Sequence, residues 1–134
     1  MTDLQEVVAM LPWIDKPGGP CLVGQRLPDI ALGNHWELPG GTKREDETEE
    51  EGIFREASEE FPGFGIKIIR RIGESISGKI KLIVYEVVYT GGGFFPRAHS
   101  NIAFPHIDEI IGRYNPIAPA DIPIIRKVEE MYQG

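Results

Sequence analysis

The chain has 134 residues, which is enough for one domain with a real core and too few for two. A hydrophobic share of 41% and a charged share of 26% are ordinary for a globular chain, and no apolar run approaches the ~20 residues that would argue for a membrane span. The formal net charge of −7 argues against a nucleic-acid duplex as partner, because binding one depends on clustered Lys and Arg.

In chain order, Leu4 to Leu11 reads as a strand rich in Val and Leu. Pro12 to Pro20 is dense in Pro and Gly and reads as a turn, with Cys21 to Arg26 as the returning strand. Leu27 to His35 is a loop, and Trp36 to Leu38 a short extended piece before the turn Pro39-Gly40-Gly41. A helix is expected from about Thr48 to Phe61, closed by Pro62. Phe64 to Ile72 alternates apolar and basic residues like a half-buried strand, and Gly73 to Gly78 reads as a connection. Lys79 to Tyr89 is the strongest strand pattern, with a nearly continuous apolar run that suggests a central position. Gly91-Gly92-Gly93 breaks it, as a hairpin turn or a mobile loop over a site. Asn101 to Phe104 reads as a short edge strand, Ile107 to Arg113 as a short helix and Asp121 to Met131 as a terminal one. These elements suggest a single α+β domain over residues 1–134, with a mixed sheet between helices.

The lone Cys21 excludes an internal disulfide. Together with an N-terminal stretch that carries acid rather than Lys or Arg, it sets a cytoplasmic expectation.

The chemistry concentrates in the helix. At about 100° per residue, Glu56, Glu59 and Glu60 share one face, and Ile53, Phe54, Ala57 and Phe61 form an apolar stripe beside them. Like charges three or four residues apart repel. Arg55 relieves part of this, and a hard divalent cation with oxygen ligands would relieve more. A plain solvated acidic face is the alternative from composition alone. Gly52 falls within the acidic face, either as a mildly destabilising helix Gly or as space for a metal or phosphate oxygen.

The spacing is more specific than the composition. Gly41, five residues, Glu47, seven residues, then Arg55-Glu56-Ala57-Ser58-Glu59-Glu60 resembles the signature of the Nudix hydrolase family. The approach Trp36-Glu37-Leu38-Pro39-Gly40 is similar to that family's as well, and to its MutT-like branch in particular. The resemblance implies a Nudix fold, an α/β/α sandwich with a mixed, curved sheet. It also implies Mg²⁺, with Mn²⁺ as a possible substitute, held by Glu56, Glu59, Glu60 and the carbonyl of Gly40. Glu56 or Glu59 would orient or deprotonate water, and Arg55 with Glu47 would form an ion pair that aims the carboxylates. Arg26, eleven residues before Glu37, matches a substrate-contacting Arg of the MutT-like branch, and Glu37 and Gly41 belong to the same substrate-binding set. The segment Pro119-Ala120-Asp121-Ile122-Pro123 is similar to the one in which an Asn or Asp reads the base. An ionised Asp121 is acceptor-only and would favour a cytosine amine or the guanine N1/N2 edge. Helix N-capping is the competing role for that residue.

The implied function is hydrolysis of a pyrophosphate bond in a nucleoside triphosphate, giving monophosphate and pyrophosphate, with a cytidine or modified nucleotide as candidate. The partner is then a small nucleotide, the protein being a monomer or a homodimer. The chain departs from the family pattern at Phe61-Pro62-Gly63-Phe64, at Thr42 where a Lys is usual, and at Ala98 where a further Glu ligand often stands. The neighbouring His99 and Asn101 could reach in there, although His99 reads more simply as a surface loop residue. Trp36, Phe94, Phe95 and Tyr114 are candidates for stacking on a base or for plain packing. Two other readings stay open: a pyrophosphatase for ADP-ribose or a nucleotide sugar, and a catalytically weak nucleotide-binding module.

Overall fold

A computed structural model describes residues 4–94 and 96–132. The strongest strand pattern becomes β6, Ile80–Gly91. It lies between β1, Gln5–Trp13, which runs parallel to it, and β5, Gly65–Ser77, which runs antiparallel. β4, Gly40–Thr42, pairs with the other side of β1, so the first sheet has the order β4-β1-β6-β5. A second, antiparallel sheet has the order β3-β2-β7, from Trp36–Glu37, Val23–Arg26 and His99–Ala103.

Alternation along β1 and β6 builds two cores, one on each face of the first sheet. Val8 and Met10 with Ile83, Tyr85 and Val87 meet Ile53, Ala57 and Phe61 of helix α1, Glu49–Glu60. Ala9, Leu11 and Trp13 with Leu82 and Val84 meet Ile124, Ile125 and Val128 of helix α3, Asp121–Met131. A short 3₁₀ turn, Ile107–Glu109, and helix α2, Ile110–Arg113, pack on this second face. The mixed sheet is thus sandwiched between helices, as expected.

β1 is longer than its pattern suggested because it runs on through Pro12. Met10 and Ile14 donate their N–H groups away from β6, so the missing donor of Pro12 faces that same side and leaves the β1–β6 ladder intact. The expected connection at Gly73 to Gly78 is mostly strand. Gly73 sits at a register shift that bends β5, and the true turn is Gly78-Lys79, with Gly78 at φ 59°. The Gly91-Gly92-Gly93 run is not a hairpin turn, because β6 and the next strand, β7, lie in different sheets. Gly92, at φ 104°, packs backbone to backbone against Gly63 in the corner after α1, where a Cβ would collide with Gly63 O. The departure at Phe61-Pro62-Gly63-Phe64 and the glycine run are therefore two halves of one contact.

Two buried groups contradict simple polarity. Glu86 is fully buried on β6 and accepts from Trp13 Nε1 at 2.6 Å, from Arg70 Nε at 2.8 Å and from the Tyr132 hydroxyl. It is a satisfied core carboxylate, far in chemistry from an orphaned one. Cys21 is buried too, and burial pushes its thiol up to about 12, so it stays protonated and inert. No helix among the described residues is long and apolar enough to cross a membrane.

Candidate active site

Helix α1 starts where the sequence places it. Thr48 is the N-cap, with Glu51 N donating to its hydroxyl at 3.1 Å and Thr48 N donating to Glu51 Oε1 at 2.7 Å. Phe61 closes the helix and is fully buried. Phe54, expected in the apolar stripe, is 48% exposed, because the buried arc is centred on Ile53, Ala57 and Glu60 instead.

Arg55 organises the acidic residues. Its Nε donates to Glu47 Oε2 at 2.9 Å and its Nη2 to Glu47 Oε1 at 2.6 Å, a bidentate fork. Nη1 donates to Glu56 Oε1 at 2.8 Å and to Glu59 Oε1 at 2.9 Å, and Nη2 also reaches the carbonyl of Thr42 at 3.0 Å. The guanidinium hydrogen bond drops the Glu47 carboxyl to about 2. These partners in turn hold the Arg55 guanidinium above its ordinary range. Gly52 provides room for the arrangement. A Cβ there would lie 3.0 Å from Val8 Cγ2 and 3.1 Å from Glu47 Oε1, so the space belongs to Glu47 and the core rather than to a metal or phosphate.

Glu60 departs from the expected shared face. It is only 5% exposed, and its Oε2 has no hydrogen-bond partner. Burial pushes its carboxyl up to about 9, and the nearby charges of Glu56, Glu37 and Glu59 add to the rise. Among the described residues, no three acidic, His or Cys groups already stand together as a cage. The reason is local: Glu56 and Glu59 are both turned to Arg55, while Glu60 points inward.

The donors nonetheless suit a hard cation. They are carboxylate oxygens, one of them buried and partnerless, next to other carboxylates whose charges oppose its ionisation. Gly41 adds a cradle, since a Cβ there would lie 2.5 Å from Glu56 Oε1. Gly40 is equally constrained, for a Cβ would strike Val8 O and Ala9.

On the other side of β4 lies a cavity of about 500 Å³. Its walls include Arg26, Glu37, Gly40, Gly41 and Asp121, with Ala31 and Leu32 at one rim and apolar Val7, Ala9, Leu38 and Leu82 beneath. The four residues that the sequence reading grouped as substrate-binding therefore line one cavity. Arg26 Nη1 donates to Glu37 Oε1 at 2.9 Å. Asp121 is not an N-cap, a position held by Ala120; its Oδ2 instead accepts from Leu38 N at 2.7 Å. Burial pushes the Asp121 carboxyl up to about 8, so at neutral pH it carries a proton and offers a donor as well as an acceptor. That corrects the acceptor-only expectation.

His99 was missed as a buried residue. It sits on β7, 5% exposed, with its ring parallel to Phe61 and Nε2 3.0 Å from Glu37 Oε2. The candidate stacking residues pack among themselves. Trp36 meets Tyr114 edge-on at 4.9 Å, and Phe94 joins Phe64, Tyr89 and Phe104. Phe95 lies outside the described residues.

Comparison with known proteins bears on what this geometry belongs to. No protein-family model matches the chain. A protein of Mycobacterium tuberculosis named "Putative 8-oxo-dGTP diphosphatase 2" is 36% identical over 93 residues, 64% of this chain and 62% of that protein. The match thus spans less than two thirds of the relative's own length. A NUDIX hydrolase from Nitrosomonas europaea superposes with a TM-score of 0.80 at 19% identity, over 100% of this chain and 75% of the other. The MutT protein of Methanosarcina mazei superposes at 0.76 and 18% identity, over 99% and 98%. The chain has the Nudix fold. Its structural neighbours are Nudix hydrolases, MutT proteins among them. The Nudix resemblance read from residues 36–60 and the shape of the whole molecule agree.

Proposed function

We propose that the chain is a Mg²⁺-dependent Nudix hydrolase of MutT type, cleaving a pyrophosphate bond of a nucleoside triphosphate to the monophosphate and pyrophosphate. One observation carries this reading: Glu60, whose Oε2 is buried and partnerless and whose carboxyl is raised first by burial and then by the charge of Glu56, shares helix α1 with Glu56, and Glu56 packs against Gly41, which with Gly40 also walls a cavity lined by Asp121. Glu56, Glu59, Glu60 and the Gly40 carbonyl are the groups that would hold the cation. A bound Mg²⁺ supplies charge for phosphate oxygens and a water of lowered pKa.

The chain's own residues do the rest. Arg55, gripped by Glu47, aims Glu56 and Glu59. Glu56 or Glu59 takes the proton of the attacking water. Arg26, Glu37, Gly41 and Asp121 bind the nucleotide in the cavity. A neutral Asp121 carboxyl gives its O–H to one base acceptor and takes one base N–H, as the N3/N4 edge of cytosine offers. The name of the mycobacterial relative makes an oxidised guanine nucleotide the second base to test.

The test is a product assay with Mg²⁺ on CTP, dCTP, the other nucleoside triphosphates, 8-oxo-dGTP, ADP-ribose and a nucleotide sugar. Monophosphate plus pyrophosphate from a triphosphate supports the proposal. Turnover only of ADP-ribose or the sugar nucleotide, to two monophosphates, replaces it. Binding without turnover reduces the chain to a nucleotide-binding module.

A further inference from the structure

We infer that His99 is a positioning residue for nucleotide binding, acting on Arg26 through Glu37; this rests on the nucleotide-binding reading of the cavity.

The strand register makes the contact possible. In the second sheet β2 lies between β3 and β7, with Gly24 opposite Glu37 on one side and Ile102 on the other. The β2–β7 register shifts between Gln25 and Arg26, so that Gln25 faces Asn101 and Arg26 faces His99. Ser100 is skipped, and the bulge re-aims the His99 side chain. The imidazole crosses over β2 to reach Glu37 Oε2 on the far strand. It can cross only because residue 24 is glycine, since a Cβ there would lie 2.5 Å from His99 Cδ2 and 2.6 Å from Cγ.

The chemistry of the chain of contacts is directional. Glu37 in its carboxylate form only accepts, so His99 Nε2 carries the hydrogen and Nδ1 is a bare lone pair. Nδ1 is buried and partnerless, which a second N–H there would make costlier. Glu37's other oxygen takes Arg26 Nη1, and Arg26 Nε donates to the Ala31 carbonyl at 2.9 Å. With Nε and Nη1 fixed, Nη2 has no protein partner among the described residues, and Arg26 lines the cavity. Nη2 is thus presented to an acceptor atom of the bound nucleotide. Without His99, one oxygen of Glu37 is released, and the plane of the Arg26 guanidinium is no longer fixed.

Three variants and one spectrum test this. His99→Leu removes the donor. Gly24→Ala displaces the ring without changing it. His99→Gln places an amide N–H in comparable reach and should rescue. The expected result is KM for the nucleoside triphosphate raised about tenfold in His99→Leu and Gly24→Ala, with kcat within about twofold and His99→Gln near wild type. In ¹⁵N-histidine spectra of the wild type, His99 should be protonated at Nε2. A His99→Leu or Gly24→Ala enzyme with unchanged KM, or a loss confined to kcat, overturns the inference. So does a proton found at Nδ1. If His99→Leu does not fold, Gly24→Ala and the spectrum decide. A wild-type protein that turns over no nucleotide refutes the hydrolase reading instead; calorimetric affinity for a non-hydrolysable triphosphate then replaces KM as the readout for the relay.

Discussion

Gly41 is where one atom matters most. Its missing Cβ leaves the space that Glu56 occupies, because the added carbon would lie 2.5 Å from Oε1. Gly41→Ala should push the carboxylate away from its place without disturbing the α1 core. Steady-state kinetics with saturating Mg²⁺ should show kcat lower by about 10²-fold, the scale of a misplacement near 1 Å, while the unfolding midpoint moves little. An alanine variant at full rate would show that Glu56 need not sit there. The shared face of Glu56 and Glu59 was readable from helical spacing, and the Arg55–Glu47 pairing from the family resemblance. The inward turn of Glu60 was not, because an ideal wheel assigns a direction but not the width of the buried arc. His99 was unreadable for a different reason: its burial follows from a bulge between two strands far apart in sequence, which a one-residue change of register would abolish.

At the scale of elements, α1 carries both a core face and the acidic groups, so its stability and the site's geometry are coupled. Its N-terminus is held by the reciprocal Thr48–Glu51 bonds, and Glu49, Glu50 and Glu51 complement the helix dipole there. Thr48→Ala should cost about 1 kcal/mol in urea unfolding, with the same slope as wild type. A loss near zero would mean the cap is dispensable. The limits of α1 were legible because periodicity, the Thr48 cap and the following Pro62 all point the same way, and the central place of β6 because its apolar run is nearly continuous. β5 was read too short because Gly73 looks like a terminator, whereas here it marks a shift of register inside a strand. The glycine run at 91–93 was misread because its partner, Gly63, is distant in sequence, so the cause of the glycine is a close approach invisible to local rules.

Taken whole, the molecule buries two raised carboxyls, Asp121 on α3 and Glu60 on α1, in a chain of net charge −7. Both stand above the value near 4 expected in the unfolded chain, so the folded chain retains protons that the unfolded chain has released. The share of metal-free stability that these two groups contribute is therefore full below about pH 4 and is lost as pH rises towards about 8 for Asp121 and about 9 for Glu60, whereas the share of the lowered Glu47 is lost only on acidification. The loss should be on the order of a few kcal/mol, and Asp121→Asn should flatten its part of the curve. Equilibrium unfolding at a series of pH values checks this; stability rising from pH 5 to 8 would contradict it. The central strands were legible because two cores, one on each face of the sheet, leave nearly continuous apolar runs in β1 and β6. The division into two sheets was not, since β2, β3 and β7 are short and pair across long separations.

The proposed hydrolysis requires a hard cation held by Glu60 together with Glu56 and Glu59. Titration with Mn²⁺, followed by loss of the free-ion electron paramagnetic resonance signal, tests this on wild type and on Glu60→Gln. Wild type should bind, and Glu60→Gln should bind at least about tenfold more weakly, the scale of losing one charged oxygen ligand. Equal binding by the two proteins would contradict the assignment, and with it the proposed hydrolysis.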